Sequence, residues 1–242
     1  METITTPQGR TLALRREAGQ GPTVVFLGGF RSDMTGTKAA WLHDWARESG
    51  RAFLRFDYSG HGESGGTFEA GTITDWRQDA EAVIDLAPGP VVLVGSSMGG
   101  WISLLIARDR PHQVAGLVTI AAAPDFTEDG LWGNAPDFLR DRIMTDGHIG
   151  VPSDYGAPYR ITRQLIEDGR DNLVLRSPLH LPMPVRMLQG TADREVPAST
   201  AQRLLDHATG DDLRLTLVKG ADHRFSSPRC LRLIARAIEE VS

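Results

Sequence analysis

Residues 91–101 read Val-Val-Leu-Val-Gly-Ser-Ser-Met-Gly-Gly-Trp, and the expected architecture of the chain follows from them. The first four residues are apolar and mostly β-branched, which is typical of a strand buried on both faces. The motif Gly-x-Ser-x-Gly, centred on Ser97, then runs into a helical pattern of Ile102, Leu105 and Ile106. This order predicts a sharp strand-to-helix turn that exposes the serine hydroxyl at the C-terminal edge of a sheet.

Such a turn places physical demands on its residues. Ser97 must adopt a strained backbone conformation, and Gly95 and Gly99 lack the Cβ atoms that would collide where the strand and the helix cross. The N–H of Met98, in the first turn of the helix, then points to where an oxyanion would form. These features are typical of a nucleophilic serine, and the alternative is a tight turn whose serine only caps the helix.

The composition restricts the class of protein. The chain has 242 residues, 40% of them hydrophobic, enough for the large core of a single domain. Its net charge is −5, and the 26 basic and 31 acidic residues are mixed, so we expect no nucleic-acid partner. A single cysteine, Cys230, excludes an internal disulfide and a cysteine-based metal site. Residues 1–5 lack a signal-peptide pattern and no apolar stretch reaches membrane-spanning length, so we expect a cytoplasmic protein without stable membrane insertion.

Predicted strands and helices alternate along the chain. This alternation predicts the α/β class, with a mostly parallel central sheet flanked by helices on both faces. Three glycine-rich loops, at 28–32, 57–66 and 95–100, each follow a predicted strand. Ligands of such sheets bind beyond the C-terminal ends of the strands, so we expect these loops to surround a site.

The regular alternation stops between residues 124 and 182. This span contains six prolines and only short amphipathic pieces, and it lies between two predicted strands of the sheet. We interpret 124–182 as a helical cap inserted into a core formed by 1–123 and 183–242. The whole chain, 1–242, is therefore expected to be one domain.

A serine hydroxyl is a poor nucleophile at neutral pH, so Ser97 needs a general base, and imidazole is the usual one. Of the seven histidines, His61 and His223 fall on loops at the C-terminal edge of the sheet, and only His223 follows the last strand. We predict His223 as the base, with a loop histidine bonded to the backbone as the alternative. His61 is interpreted as structural, in a loop braced by Asp57 and Ser64 through turn hydrogen bonds.

The predicted base needs a carboxylate to fix its tautomer and orientation. Asp193 follows the strand 185–189 and matches the chain order serine, aspartate, histidine. Glu195 and Asp222 are the competitors, and Asp222 adjoins His223, so its side chain is expected to point away. We predict Asp193 as the partner, with an aspartate that only caps the following helix as the alternative.

A second backbone donor for an oxyanion is expected from the loop after the strand 23–27. Gly28-Gly29-Phe30 offers the N–H of Phe30 there, and with the N–H of Met98 it would form an oxyanion hole. The alternative is that the glycines serve only a sharp loop. Two such donors beside Ser97 and an imidazole predict acyl transfer through a covalent acyl-enzyme.

Four segments carry a resemblance to a known family. They are Phe26–Ala39 (FLGGFRSDMTGTKA), Phe56–Gly60 (FDYSG), Val94–Trp101 (VGSSMGGW) and Asp222–Arg224 (DHR). With them the chain resembles the serine hydrolases of the α/β-hydrolase superfamily. Over roughly residues 20–240 it is most similar to the group of abhydrolase domain-containing protein ten, which includes palmitoyl-protein thioesterase and acyl-glucuronide esterase activities, and to its bacterial relatives.

This resemblance implies the α/β-hydrolase fold and a catalytic triad of Ser97, Asp193 and His223. It also implies that the N–H groups of Phe30 and Met98 form the oxyanion hole. The implied reaction is hydrolysis of S-acyl or O-acyl bonds, with no cofactor and no metal.

We therefore expect a serine hydrolase of carboxylic esters or thioesters, with an S-depalmitoylase or an acyl-glucuronide esterase as the narrower candidates. A serine peptidase of the same fold and a non-catalytic hydrolase-fold binding protein are the alternatives. The expected partner is a small acyl ester or thioester, or an acylated protein. We expect the acyl chain to lie under the cap, against apolar residues whose alternative role is packing onto the sheet. These residues are Leu131, Trp132, Phe138, Leu139, Ile143, Met144 and Leu165.

Overall fold

The computed structural model describes residues 1–151 and 159–242. In these ranges the strands are β1 (Glu2–Thr5), β2 (Thr11–Glu17), β3 (Gln20–Leu27), β4 (Arg51–Phe56), β5 (Val91–Ser96), β6 (Val114–Ile120), β7 (His148–Val151), β8 (Tyr159–Thr162), β9 (Val185–Gly190) and β10 (Leu213–Val218). The α-helices are α1 (Thr37–Ser49), α2 (Ile73–Ile84), α3 (Met98–Asp109), α4 (Asp137–Asp146), α5 (Arg163–Asp171), α6 (Ala198–His207) and α7 (Pro228–Glu240). None of these helices is long and apolar enough to cross a membrane.

Eight strands form one mostly parallel sheet. Their order is β1-β2-β4-β3-β5-β6-β9-β10. β1 and β2 form an antiparallel hairpin that pairs antiparallel with β4, and every later pair in the sheet is parallel. The predicted fold class is confirmed, and the C-terminal ends of the parallel strands meet at one edge.

The central strand β5 shows why the sheet is covered on both faces. All six of its residues are buried. Val92 and Val94 pack with residues of α1 and α7, whereas Val91 and Leu93 pack with residues of α2 and α3. Because successive side chains of a strand point to opposite faces, both sets need an apolar layer. Burying each such side chain contributes about 1.5–3 kcal/mol, which explains the continuous apolar run in the sequence.

The insertion between β6 and β9 is only partly helical. It contains α4, α5 and a π-helical segment, Phe126–Trp132, together with an antiparallel sheet of β7 and β8. The strand pair corrects the helical interpretation of this region. Each strand has four residues, too few for their alternation to be distinguished from a helical pattern in the sequence. Residues 152–158 of the predicted cap lie outside the described residues.

Buried hydrogen bonds join the insertion to the core. Trp101 on α3 donates from Nε1 to the carbonyl oxygen of Asn172 at 2.9 Å, and Asn172 Nδ2 donates to Thr74 Oγ1 on α2 at 2.8 Å. The carboxylate of Asp125, fully shielded from solvent, accepts from the N–H of Val174 at 2.8 Å. Bonds of this kind are costly to break because the freed groups do not reach water.

Candidate active site

Ser97 lies in the turn between β5 and α3 with φ 54° and ψ −116°. A positive φ is rare for a residue with a Cβ atom and persists only where the surroundings impose it. The N–H of Ser97 donates to the carbonyl oxygen of Ile120 at 2.9 Å. A Cβ on Gly95 would lie 2.4 Å from the oxygen of Gly99, and a Cβ on Gly99 would lie 2.1 Å from the oxygen of Leu27. The predicted strained turn and its need for both glycines are confirmed.

The structure brings Ser97, His223 and Asp193 together. They lie on the loops that follow β5, β10 and β9, which leave the same edge of the sheet. His223 Nε2 lies 3.1 Å from Ser97 Oγ, and His223 Nδ1 lies 2.8 Å from Asp193 Oδ2. A carboxylate can only accept, so Nδ1 carries the proton and Nε2 is left to accept from the serine hydroxyl.

The two oxygens of Asp193 have separate partners. Oδ1 accepts from the N–H groups of Glu195 and Val196, each at 2.9 Å, while Oδ2 accepts from Gln189 Nε2 at 3.0 Å as well as from His223. Burial acts to raise the pKa of Asp193, but these hydrogen bonds outweigh it and hold the pKa below its ordinary value. The carboxylate is therefore charged at neutral pH. Asp193 thus accepts hydrogen bonds within its own turn, as the alternative role predicts, and contacts the imidazole of His223 as well.

The two competing carboxylates take other positions. Glu195 Oε2 lies 3.5 Å from His223 Nε2, the nitrogen that also contacts Ser97, and its side chain is 52% exposed. Asp222 Oδ1 accepts from the N–H of Phe225 at 3.1 Å, which keeps this side chain in its own turn. Asp193 is thus the carboxylate at Nδ1.

The loop after β3 lies directly against the serine. A Cβ on Gly29 would lie 3.4 Å from Ser97 Cβ. Within the described part of the chain, the N–H groups of Phe30 and Met98 have no hydrogen-bond acceptor. The ring of Phe30 packs edge-on against Phe68 and other aromatic rings, which fixes this loop relative to the insertion. Both proposed oxyanion donors are therefore available beside the serine.

The loop of residues 57–66 contacts the loop after β3 through His61. His61 Nε2 lies 3.2 Å from the backbone nitrogen of Arg31, and its Nδ1 lies 3.1 Å from the carbonyl oxygen of Ser59. Ser64 Oγ donates to the carbonyl oxygen of Asp57 at 2.6 Å. His61 therefore bonds to backbone on both sides, which confirms the structural interpretation of this residue and of Asp57 and Ser64.

A cavity of about 390 Å³ opens at Ser97 and His223. Among its described lining residues, the apolar walls include Phe30 and Tyr159. The charged side chains that line it are Arg31, Lys38, Arg224 and Glu195. The cavity is therefore cationic on balance, which would favour ligands with a negative group.

Lys38 and the two arginines were not predicted from the sequence. Lys38 Nζ donates to the carbonyl oxygen of Arg224 at 2.5 Å. Burial lowers the pKa of Lys38 to about 8, and the nearby Asp222 offsets part of this effect. The sequence held a signal for all three, since Arg31 and Arg224 directly follow Phe30 and His223, and Lys38 lies in the segment Phe26–Ala39 that carries the family resemblance.

The apolar cap residues predicted to hold an acyl chain do not line this cavity. Those that lie in the main core or pack against it are Leu131, Trp132, Leu139, Ile143 and Leu165. Phe138 is 64% exposed and Met144 is partly exposed. Packing against the core agrees with the alternative role of these residues, and the acyl site under the cap stays a prediction. A helical apolar stripe does not distinguish a core face from a ligand-binding face.

Comparison with known proteins identifies the family. The model of the family described as "Hydrolase_4: Serine aminopeptidase, S33" matches residues 21–149. Bovine "Palmitoyl-protein thioesterase ABHD10, mitochondrial" is 35% identical over 98% of this chain and 78% of its own length.

Two solved structures superpose on nearly the whole chain. A putative hydrolase from Agrobacterium vitis S4 is 44% identical with a TM-score of 0.92, and the mouse alpha/beta hydrolase domain-containing protein 10 is 33% identical with a TM-score of 0.91. Each superposition covers 99% of this chain and 97% of the other. The chain therefore belongs to the α/β-hydrolase superfamily and, within it, to the family of ABHD10.

Proposed function

We propose that this protein is a serine hydrolase that cleaves carboxylic esters or thioesters through an acyl-enzyme, with Ser97 as nucleophile. The observation that carries the proposal is the continuous chain of hydrogen bonds from Ser97 Oγ through His223 to Asp193 at the wall of a cavity. An ester or thioester hydrolase also agrees with the name of the bovine relative. The catalytic roles follow from the geometry by ordinary acyl-transfer chemistry.

In the first step His223 Nε2 takes the proton of the Ser97 hydroxyl while Oγ attacks the substrate carbonyl carbon. The carbonyl oxygen becomes an oxyanion, to which the N–H groups of Phe30 and Met98 donate. Each such donor is worth about 3 kcal/mol of barrier. The imidazolium, stabilised by the Asp193 carboxylate, then protonates the leaving alkoxide or thiolate as the tetrahedral intermediate collapses.

In the second step the same imidazole accepts a proton from water, which attacks the acyl-enzyme carbonyl. The oxyanion forms again at the same two N–H groups. His223 then returns the proton to Ser97 Oγ, the carboxylic acid leaves and the free enzyme is restored. Asp193 keeps the imidazole in one tautomer throughout both steps.

Within this class we propose two narrower substrates, acyl-glucuronides and S-palmitoyl proteins. Acyl-glucuronides are supported by the cationic cavity, because the uronic acid that leaves carries a carboxylate that Arg31, Lys38 or Arg224 could bind. S-palmitoyl proteins are supported by the name of the bovine relative. The cytoplasmic location expected above belongs to the same proposal.

A serine aminopeptidase is the second candidate, and one carboxylate favours it. Glu195 lies beside the reacting imidazole in the cavity, where it could bind the α-ammonium group of a peptide. The description of the matching family model points the same way. Hydrolysis of an aminoacyl-naphthylamide at a rate above that of esters would favour this candidate.

The test is to compare wild type with Ser97→Ala on p-nitrophenyl esters, a palmitoyl thioester and an acyl-glucuronide. Because the nucleophile is lost, the variant should lose activity by about 10⁶-fold, to near background. Ser32→Ala is the matched control, because Ser32 lines the same cavity without contacting His223, and it should stay near wild type.

Covalent labelling separates catalysis from a binding role. An activated serine reacts with a fluorophosphonate, so wild type and Ser32→Ala should be labelled and Ser97→Ala should not. A wild-type protein that resists labelling would support the non-catalytic alternative. Retained esterase activity in Ser97→Ala would refute the assignment of the nucleophile.

A further inference from the structure

The hydrogen bonds of His61 determine its protonation. The imidazole is 4% exposed and lies between the loop of residues 57–66 and the loop after β3. Its Nδ1 is 3.1 Å from the carbonyl oxygen of Ser59, which can only accept, so Nδ1 carries a proton. Its Nε2 is 3.2 Å from the backbone nitrogen of Arg31, which can only donate, so Nε2 carries a lone pair. The geometry thus requires one neutral tautomer.

We propose that His61 is a positioning residue that sets the geometry of the oxyanion hole by binding the N–H of Arg31, the residue that follows Phe30. This inference rests on the proposed function. Arg31 has φ 59°, a left-handed conformation that a residue with a side chain keeps only when its surroundings hold it. The bond to His61 is one such restraint, and it fixes the peptide that joins Phe30 to Arg31.

A second bond from the same loop restrains the far side of the oxyanion loop. Asp57 Oδ1 accepts from the N–H of Met34 at 2.5 Å, and Asp57 Oδ2 accepts from the N–H of Glu63 at 2.9 Å. Arg55 Nη1 donates to the carbonyl oxygen of Met34 at 2.8 Å. Residues 31 and 34 are therefore both held by side chains on or next to the loop after β4, and His61 holds the one adjacent to the oxyanion donor.

Protonation of His61 would remove its hydrogen bond with the N–H of Arg31. The imidazolium has a donor at Nε2, so two N–H groups would face each other at 3.2 Å and the oxyanion loop would have to move. Burial lowers the pKa of His61, which keeps the imidazole neutral at pH 7. The charged and titratable groups around it are Asp79 on α2, Arg31 and Asp33 on the oxyanion loop and the neighbouring Tyr58. The proposed geometry of the oxyanion loop therefore needs a neutral His61.

A test must separate this role from packing, because the ring of His61 also contacts Tyr58, Phe68 and Trp76 edge-on. His61→Phe keeps an aromatic ring but has no acceptor for Arg31. His61→Gln offers a carbonyl acceptor that does not titrate. Tyr58→Phe is the control, because it removes a buried hydroxyl that has no hydrogen-bond partner among the described residues and leaves the ring in place.

The experiment measures kcat and KM for a p-nitrophenyl ester at pH 7, together with the thermal midpoint of each variant. A misplaced oxyanion donor costs transition-state stabilisation alone, so His61→Phe should lower kcat about 10–100-fold at an unchanged KM. His61→Gln should keep a larger share of kcat than His61→Phe. Tyr58→Phe should keep a kcat near that of wild type.

Wild-type kcat in a folded His61→Phe variant, or a kcat of His61→Gln no higher than that of His61→Phe, would overturn the inference. If His61→Phe does not fold, ¹⁵N spectra of histidine-labelled wild type provide the test, because they report which ring nitrogen of His61 carries a proton. An unprotonated Nε2 on His61 at pH 7 supports the proposal, and a protonated one overturns it. If the variant kinetics or the NMR result contradicts the role of His61, the wild type still hydrolyses the ester. A wild-type protein without esterase activity would instead overturn the proposed function.

Discussion

The loops at the C-terminal edge of the sheet and the insertion between β6 and β9 use their side chains in different ways. In the edge loops, polar groups such as Asp193 and His61 are fixed by hydrogen bonds to neighbouring backbone. In the insertion, apolar residues such as Ile143 and Leu165 are buried in the main core. The edge loops therefore hold polar groups in place, whereas the insertion buries apolar side chains, and we expect the first to govern catalysis and the second stability.

Among the changes that test this difference between the two regions, Asp193→Asn is expected to have the largest effect, a loss of kcat. An asparagine Nδ2 in the place of Asp193 Oδ2 is a donor, but Gln189 Nε2 and His223 Nδ1 both donate there. The amide would therefore leave these donors without an acceptor or favour the imidazole tautomer with its proton on Nε2. We expect kcat for an ester substrate to fall about 10⁴-fold with the fold intact. Steady-state kinetics and circular dichroism measure the two quantities.

Asp222→Asn is the control for this change, because Asp222 adjoins His223 but its carboxylate accepts from the N–H of Phe225 in its own turn. It should retain near wild-type kcat. Equal losses in the two variants would show that Asp193 acts through general loop stability and not through the imidazole.

A second prediction concerns the insertion. Ile143 on α4 is 1% exposed, so Ile143→Ala should lower the free energy of unfolding by about 3 kcal/mol through lost burial and a cavity. Because Ile143 does not line the cavity at Ser97, kcat/KM and the preference for acyl chain length should not change. Urea unfolding and a series of esters of increasing chain length provide the measurements.

Phe138→Ala on the same helix is the matched control, since Phe138 is largely exposed and its loss should alter stability by less than about 0.5 kcal/mol. A shift in chain-length preference in either variant would contradict the assignment of these residues to packing. It would also weaken the contrast between the insertion and the edge loops.

The smallest predicted effect is electrostatic. The pKa of Lys38 is lowered to about 8, mainly by burial, so its positive charge is present below pH 8 and is lost as the pH rises through that value. One charge at contact distance is worth about 1 kcal/mol in water. The KM for an acyl-glucuronide should therefore rise about three- to fourfold between pH 7 and pH 9, while the KM for an uncharged ester stays constant.

Lys38→Arg keeps its charge over this range and should remove the rise in KM. A rise that persists in this variant would assign the effect to another group in the cavity. The comparison needs only steady-state assays at several pH values with both substrates.

Much of the candidate site could be predicted from the sequence, because the topology of a parallel sheet brings the loops at its C-terminal edge together. Once residues 91–101 indicate a parallel sheet, Asp193 and His223 follow from their positions after later strands. The strain at Ser97 and the need for Gly95 and Gly99 follow from the crossing of strand and helix. The structure brings these residues together, and their catalytic roles stay predictions.

The walls of the cavity could not be predicted in the same way. Lys38 reaches the cavity because α1 begins beside the loop that carries His223, and no periodic pattern records that proximity. The sequence makes Glu195 a candidate for the carboxylate at Nδ1 of His223, but Glu195 lies near Nε2, a difference that depends on side-chain direction alone. The apolar pattern of the insertion predicts buried side chains, and several of them are buried, but such a pattern does not show whether a side chain also contacts a ligand.

The shared contacts of Asn172 also restrict how the enzyme moves. Swinging the C-terminal end of α5 outward would break its bonds with Trp101 and Thr74 at once. Each rupture costs about 1–3 kcal/mol when the freed groups stay dry, so such an open conformer would make up about 3% of molecules or less. The position of α5 in the structure is therefore the populated one, and substitutions that remove these two bonds should increase the share of the open conformer.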